Sequence, residues 1–245
     1  VITNPLFDGK NIPLVIIPSV SYYGEQWFFD KNTLGFSFSQ SDNLVVSSIL
    51  QPNRENAFFS RWHSNNIFVD NFIHQGLEFA PDYSADQYTK VQVNVKDVKE
   101  RKWALDAGMQ INWFFGERTQ IEGKLLHDVN NVYNGFNGQL FINHVWAHNN
   151  KQQSSLSLGV NWLSAKQVDY YYGIDWQDNL PSSLNYQGKS SINPFIKFKT
   201  QYRLTKQWSI AASIYREFIA SGVYNSPLVE DKTIDTVFLG AVYAF

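Results

Sequence analysis

Five histidines, one methionine and no cysteine limit the chemistry open to this chain of 245 residues. Without thiols there is no cysteine nucleophile, no thiolate metal site and no disulfide scaffold. The histidines are His63, His74, His127, His144 and His148. His127 precedes Asp128, but adjacent residues on a strand point to opposite faces, so the two are not expected to work as a dyad. His144 and His148 share a face about 13 Å apart, at about 3.3 Å per residue, too far to ligate one metal ion. No GxSxG, HExxH, P-loop or CxxC string occurs, and those spacings are what their chemistries require. The expectation is a protein with no catalytic residue, no metal and no cofactor.

A row of charged and amide side chains is the stronger signal. In PFIKFKTQYRL, Lys197, Lys199 and Arg203 fall on one side of an alternating segment. Asp106 and Gln110, and Glu122 with Lys124, fall on the corresponding side of two others. Facing the lumen of a barrel, such a row is either a charged constriction selecting anions or small solutes or a self-neutralising network filling a narrow interior. An unpaired lysine in a low-dielectric wall is costly, so carboxylate partners are expected for Lys197 and Lys199. Asp169, Asp175, Asp178, Glu230 and Asp231 lack the spaced Asp–Gly loop of a calcium site.

The elements that carry this row alternate with a period of two. In RKWALDAGMQINWFFG, Trp103, Leu105, Ala107, Met109, Ile111, Trp113 and Phe115 share one face and Asp106, Gln110 and Asn112 the other. SSLSLGVNWL and WSIAASIYRE repeat the scheme. The chain ends on DTVFLGAVYAF, where Val237, Leu239, Ala241, Tyr243 and Phe245 form the outward face of an expected closing strand. No run approaches 18 apolar residues, so no transmembrane helix is expected. Mean hydropathy is −0.31, as it should be if only alternate residues meet lipid. Lys and Arg number 20 against 22 Asp and Glu, leaving no basic surplus for nucleic acid.

Connections alternate in length. GERT, NNKQQS and LTKQ are tight, whereas Leu163–Asn193 and Ala220–Thr233 are long and rich in Tyr, Asn, Ser and Asp. Short turns at one end and long loops at the other are the layout of an outer-membrane barrel, with the short turns in the periplasm. Ten residues at about 3.3 Å, tilted about 40°, rise roughly 25 Å, the height of the lipid-facing band. Counted back from Phe245, Trp27, Trp103 and Trp162 fall at the outer rim and Trp113, Trp146 and Trp208 at the inner, as two aromatic girdles.

The fold expected is all-β, a transmembrane antiparallel up-and-down barrel forming a single domain over 1–245. Ten strands are expected, at 12–23, 26–39, 43–51, 102–115, 119–129, 137–148, 154–163, 194–204, 207–218 and 233–245; a bulge is expected in the second, where Trp27 and Phe29 are odd but Leu34, Phe36 and Phe38 even. Residues 1–11 are expected as a periplasmic N-terminal segment. Residues 52–100 form either a long extracellular excursion or, through NIFVDNFIHQGLEF and KVQVNVKDV, an extra hairpin that raises the count to twelve. VITNPLFDGK has no charged and apolar leader pattern, so a secretory signal is expected to have been removed. Tyr170, Tyr171, Tyr172, Trp176, Tyr186 and Tyr224 either present a receptor surface, pack the loops over the mouth, or sit among headgroups.

RKWALDAG, DYYYGI after NWLSAKQV, YNSPLVEDK and the terminal GAVYAF, in that order and after an early NPLFDGK, resemble the MipA/OmpV family of outer-membrane proteins. The resemblance is best from Arg101 to Phe245, and the stretch from Gln51 to Glu100 departs from it. It implies a barrel in a Gram-negative outer membrane, in contact with lipid and lipopolysaccharide and delivered by the barrel-assembly machinery through the C-terminal strand. It also implies a scaffold that joins a murein-degrading lytic transglycosylase to a penicillin-binding protein, or else a porin-like or adhesive surface protein. Docking from the periplasm through the short turns needs the segment 1–11 as well, because a stable interface takes about 800 Å² per partner.

Overall fold

The computed structural model describes residues 1–9, 11–12, 21–30, 32–59 and 90–243. Within them, eleven strands form one sheet in chain order: β1 Ser21–Tyr23, β2 Trp27–Asp30, β3 Thr33–Gln40, β4 Leu44–Pro52, β5 Leu105–Phe115, β6 Thr119–Asp128, β7 Phe136–Ala147, β8 Gln152–Leu163, β9 Ser191–Arg203, β10 Trp208–Phe218 and β11 Thr233–Tyr243. Every neighbouring pair is antiparallel. The sheet curls: residues from Tyr23 on β1 to Thr236 on β11 line one cavity.

Among the described residues the strands number eleven, where ten or twelve were expected. The segment expected as one bulged strand over 26–39 is a hairpin, β2 and β3. Asn32 takes φ 72°, the left-handed conformation that tight hairpin turns require, and Asp30 pairs directly with Thr33. A register shift does occur, but further on, between Ser37 and Ser39. The expected hairpin after residue 52 is not a pair of wall strands among the described residues. Residues 90–99 lie outside the sheet, with Val93 N donating to Pro227 O at 2.9 Å and a turn in which Asp97 N donates to Asn94 O; NIFVDNFIHQGLEF lies outside the described residues.

Outward faces are apolar and open. Leu140, midway along β7, is 55% exposed and Ile214 on β10 is 57%, within a band that also includes Met109, Ile111, Leu125, Leu158, Phe198 and Leu239. An apolar band of this extent marks a lipid contact rather than a solvated surface. Arginine in place of Leu140 is expected to cost about 2–4 kcal/mol in a bilayer, read as a lower denaturant midpoint in lipid vesicles. The same change in detergent micelles should matter less, because water reaches the charge there.

The packed apolar core lies at one end of the sheet, not along it. Short helices α1 Asn56–Phe59, α2 Ala165–Tyr172 and α3 Ser221–Tyr224 fold the long connections into a cap whose buried residues include Phe58, Val168, Tyr171, Tyr172, Val223, Leu228 and Val229. Residues 1–9 belong to this cap. Leu6 is buried in it, Phe7 N donates to Leu228 O, and Glu230 N donates to Pro5 O. The segment expected beside the short turns therefore packs at the end bearing the long connections. Its start also reaches the wall: Val237 N donates to Val1 O, Thr3 N to Asp235 O, and Ile2 bridges both Thr236 and Ile12.

Candidate functional site: a capped polar chamber

The inner face of the sheet lines a cavity of about 910 Å³. Strand alternation places Asp106, Gln110 and Asn112 of β5, Glu122 and Lys124 of β6, and Lys197 and Lys199 of β9 on its wall. Glu122 and Lys124 are two apart on one strand and so share a face; their charges meet at 3.0 Å. Arg203 does not join them. It ends β9 opposite Ser209, exposed at the short-turn end. The wall continues to Phe114 and Gln120, beside the tight turn 116–118.

Two buried polar networks form the ceiling. In one, the Asp106 carboxylate accepts from Tyr133 Oη at 2.6 Å, Asn53 Nδ2 at 2.6 Å and Asn137 Nδ2 at 2.7 Å. In the other, Glu217 is 1% exposed and accepts from Tyr215 Oη at 2.6 Å, Asn161 Nδ2 at 2.9 Å, Asn193 Nδ2 at 3.0 Å and the Arg54 guanidinium. Arg54 keeps 43% of its side chain accessible, and it lines the chamber. Next to it, Glu55 accepts from the Tyr172 hydroxyl. These two networks join β5, β7, β8, β9 and β10 to the loop 53–55.

Burial pushes the Glu55 carboxyl above its ordinary value of 4.5, against Arg54 and the Tyr172 hydroxyl, which pull it down. A carboxyl raised on folding stabilises the native state at acid pH and loses that contribution as pH climbs through its folded value. Glu55→Gln keeps an acceptor for Tyr172 and cannot ionise. It should match the wild type near pH 4 and exceed it in thermal midpoint at pH 7, in a melting series across that range.

The cap also settles the loop aromatics among the readings left open. Tyr171 and Tyr172 are fully buried and Tyr170 packs edge-on against Tyr171, so these rings fold the loop down; Trp176 alone of the set stays largely exposed. The acidic residues are spent locally. Asp169 Oδ1 accepts from Gly188 N, Asp175 caps Gln177, and Asp178 accepts from Lys99 N. Among the described residues no cluster of three metal-ligating side chains occurs. His127 meets Phe136 edge-on while Asp128 turns to the Tyr133 and Asn134 amides. His144 meets Thr119 and His148 meets Ser154.

Trp113, Trp146 and Trp208 stand at the short-turn ends of β5, β7 and β10, and Trp208 packs on Tyr243. Trp162 and Trp103 stand at the capped end. Trp27 does not. It opposes Phe36, which opposes Ser48 midway along β4, because β2 spans only part of the wall. On β11, Leu239, Ala241 and Tyr243 are exposed and Val237 half-buried, whereas Ile234, Thr236 and Phe238 are buried on the other face; Phe245 lies outside the described residues.

The family model for MltA-interacting protein, MipA, matches residues 1–245. The chain belongs to the MipA family. A protein of Escherichia coli K12 named "Putative outer membrane protein YiaT" is 23% identical over 98% of this chain and 85% of its own length. The "MltA-interacting protein" of the same strain is 24% identical over 62% of this chain and 60% of its own length. "Outer membrane protein Omp26La" of Vibrio anguillarum is 22% identical over 62% and 58%. Membership of this family, with relatives so named, locates the chain in the outer membrane of a Gram-negative cell.

Proposed function

We propose that the sheet closes into a transmembrane barrel and serves as a non-catalytic scaffold, holding a lytic transglycosylase at the end that bears the short turns. The observation that carries this reading is the cap. Long connections pack into a buried core at one end of the sheet, which disfavours a through-channel and leaves the short-turn rim as the working surface; residues 1–9 pack at the capped end, away from that rim, so the partner docks on the rim alone, in a small and transient contact. The name of the MltA-interacting relative supplies the partner's class, and a penicillin-binding protein is its counterpart in the same assembly. Trp113, Trp146 and Trp208 then mark the periplasmic lipid boundary, Trp103 and Trp162 the outer one beside lipopolysaccharide. The outward row of β11 is the strand that the barrel-assembly machinery engages.

The rim presents Glu117, Arg118, Lys151 and Lys206, all exposed. Charges at a rim steer encounter and fix register more than they add affinity. Reversing all four is expected to slow association with a purified lytic transglycosylase by about tenfold and steepen no other property of the barrel, measured by surface plasmon resonance on the detergent-solubilised protein. If the unaltered protein retains no transglycosylase, the scaffold reading is wrong.

A further inference from the structure

Two ammonium groups converge on one ring where β10 and β11 meet the cap. Lys90 Nζ lies 4.3 Å from the centre of the Tyr224 ring and Lys232 Nζ 4.9 Å from it. Among the described residues the ion pairs run from Arg54, Lys96, Arg101, Lys124 and Arg216 to their carboxylates, and neither Lys90 nor Lys232 takes part in one. The neighbouring Glu230 and Asp231 bear on each other and on Asp235 instead. Burial and the Lys232 charge together push the Lys90 ammonium down to about 8, as expected of a cation without a counter-ion. An ammonium has three N–H donors. Lys90 commits two, to Tyr224 O and, at 2.8 Å, to Val229 O; Lys232 is exposed and commits none to the described residues. Unused donors and two like charges at one ring call for an anion.

What lies below on the same two strands indicates what carries that anion. Ile210 and Ile214 of β10 and Leu239 of β11 are exposed on the outward face, and their rows end at an ion pair, Arg216 with Asp235 at 2.6 Å. Charge on a lipid-facing wall is costly at the midplane and tolerated near the interface, so this pair marks the upper edge of the lipid band. Phe218 pairs with Thr233 above it, and Lys232 O accepts from Ile219 N. The two lysines therefore stand just above acyl-chain height, at the level of lipid phosphates.

We propose that this corner binds the phosphate of an outer-leaflet lipid, whose oxygens accept from Lys90 and Lys232 while its acyl chains lie along the outward rows of β10 and β11. The phosphate supplies the counter-charge that the protein does not, and charge-assisted bonds of this kind are the stronger ones. The inference rests on the reading that the wall spans the membrane. It is independent of any docked transglycosylase, since the corner lies at the end opposite the short turns.

The test is native mass spectrometry of the full chain in non-ionic detergent, titrated with diphosphoryl lipid A, with its dephosphorylated form and with inorganic pyrophosphate. Saturable binding of the diphosphoryl lipid is expected, with the dephosphorylated lipid about tenfold weaker. Lys90→Gln should weaken the phosphorylated lipid about tenfold and the exposed Lys232→Gln about fivefold, with no effect on the dephosphorylated lipid. Lys232→Gln decides alone should Lys90→Gln fail to fold. Lys166→Gln, on α2, should change nothing. Equal affinity for the two lipids, or as large a loss from Lys166→Gln as from Lys232→Gln, overturns the proposal. Pyrophosphate binding as tightly as the lipid overturns it too, by assigning the corner to a free anion. Failure of the chain to insert into lipid vesicles would count against the spanning wall, whereas the titration in detergent reads the headgroup contact by itself.

Discussion

Glu217→Ala is expected to lower the stability of the protein by about 3 kcal/mol, seen as a large drop in the temperature at which the band on a gel changes mobility. Removing one partner of a buried ion pair typically costs about 3–5 kcal/mol, because the other charge is left unpaired. Here the lower end applies. The accessible part of Arg54 faces the chamber, so water can solvate the abandoned guanidinium. Asn161, Asn193 and Tyr215 lose an acceptor in the same step. Glu217→Gln keeps one acceptor oxygen for Tyr215 and Asn161 but turns an N–H group toward Asn193 Nδ2, and should cost about half as much as the alanine. Equal losses in the two variants would show that the charge contributes nothing.

Gly188→Ala should undock the cap while sparing the wall. A Cβ at Gly188 would stand 2.2 Å from Asp169 N and 2.4 Å from Asp169 Cα, backbone atoms of α2 that have no room to yield. The Gly188 amide also donates to Asp169 Oδ1 at 2.7 Å, so the loop and helix are held by the contact that the methyl would force apart. Overpacking of this kind costs roughly 1–3 kcal/mol. The readouts are faster proteolysis between residues 165 and 190 and a rise in single-channel conductance across planar bilayers, with strand content by circular dichroism unchanged. Protection and conductance both at the wild-type level would show that the cap does not close the chamber.

The wall was legible because lipid on one side and a polar interior on the other impose a two-residue period, and nothing else in the chain competes with it. Met109, Ile111 and Trp113 declared their face in this way, as did Glu122, Lys124, Lys197 and Lys199. Arg203 has the right parity but lies past the end of the chamber, a matter of height that alternation does not encode. The β2–β3 hairpin was missed because one asparagine in the left-handed conformation makes the turn, without the Asn-Gly pair that usually announces it.

The cap stayed one of three open readings for a different reason. Its contacts join residues far apart in sequence: Arg54 to Glu217 across 163 positions, Glu55 to Tyr172 across 117. Tyr171 and Tyr172 sit among Asn, Ser and Asp, and a loop of that composition reads as surface. Residues 1–9 misled in the same way, because the partners that fix them, Val229 and Asp235, come at the other end of the chain.

The pairing of the first residues with β11 has a consequence for how the molecule forms. Most wall contacts are hairpins that close as soon as two neighbouring strands exist. The hydrogen bond between Val1 and Val237 spans 236 positions, and closing a loop that long costs roughly 2–3 kcal/mol more entropy than closing a turn of a dozen residues. It cannot nucleate folding and must follow the rest. Refolding should therefore end in a late kinetic phase, in which the amides of Thr3 and Val237 gain protection from hydrogen exchange after those of β5 to β10 are already closed.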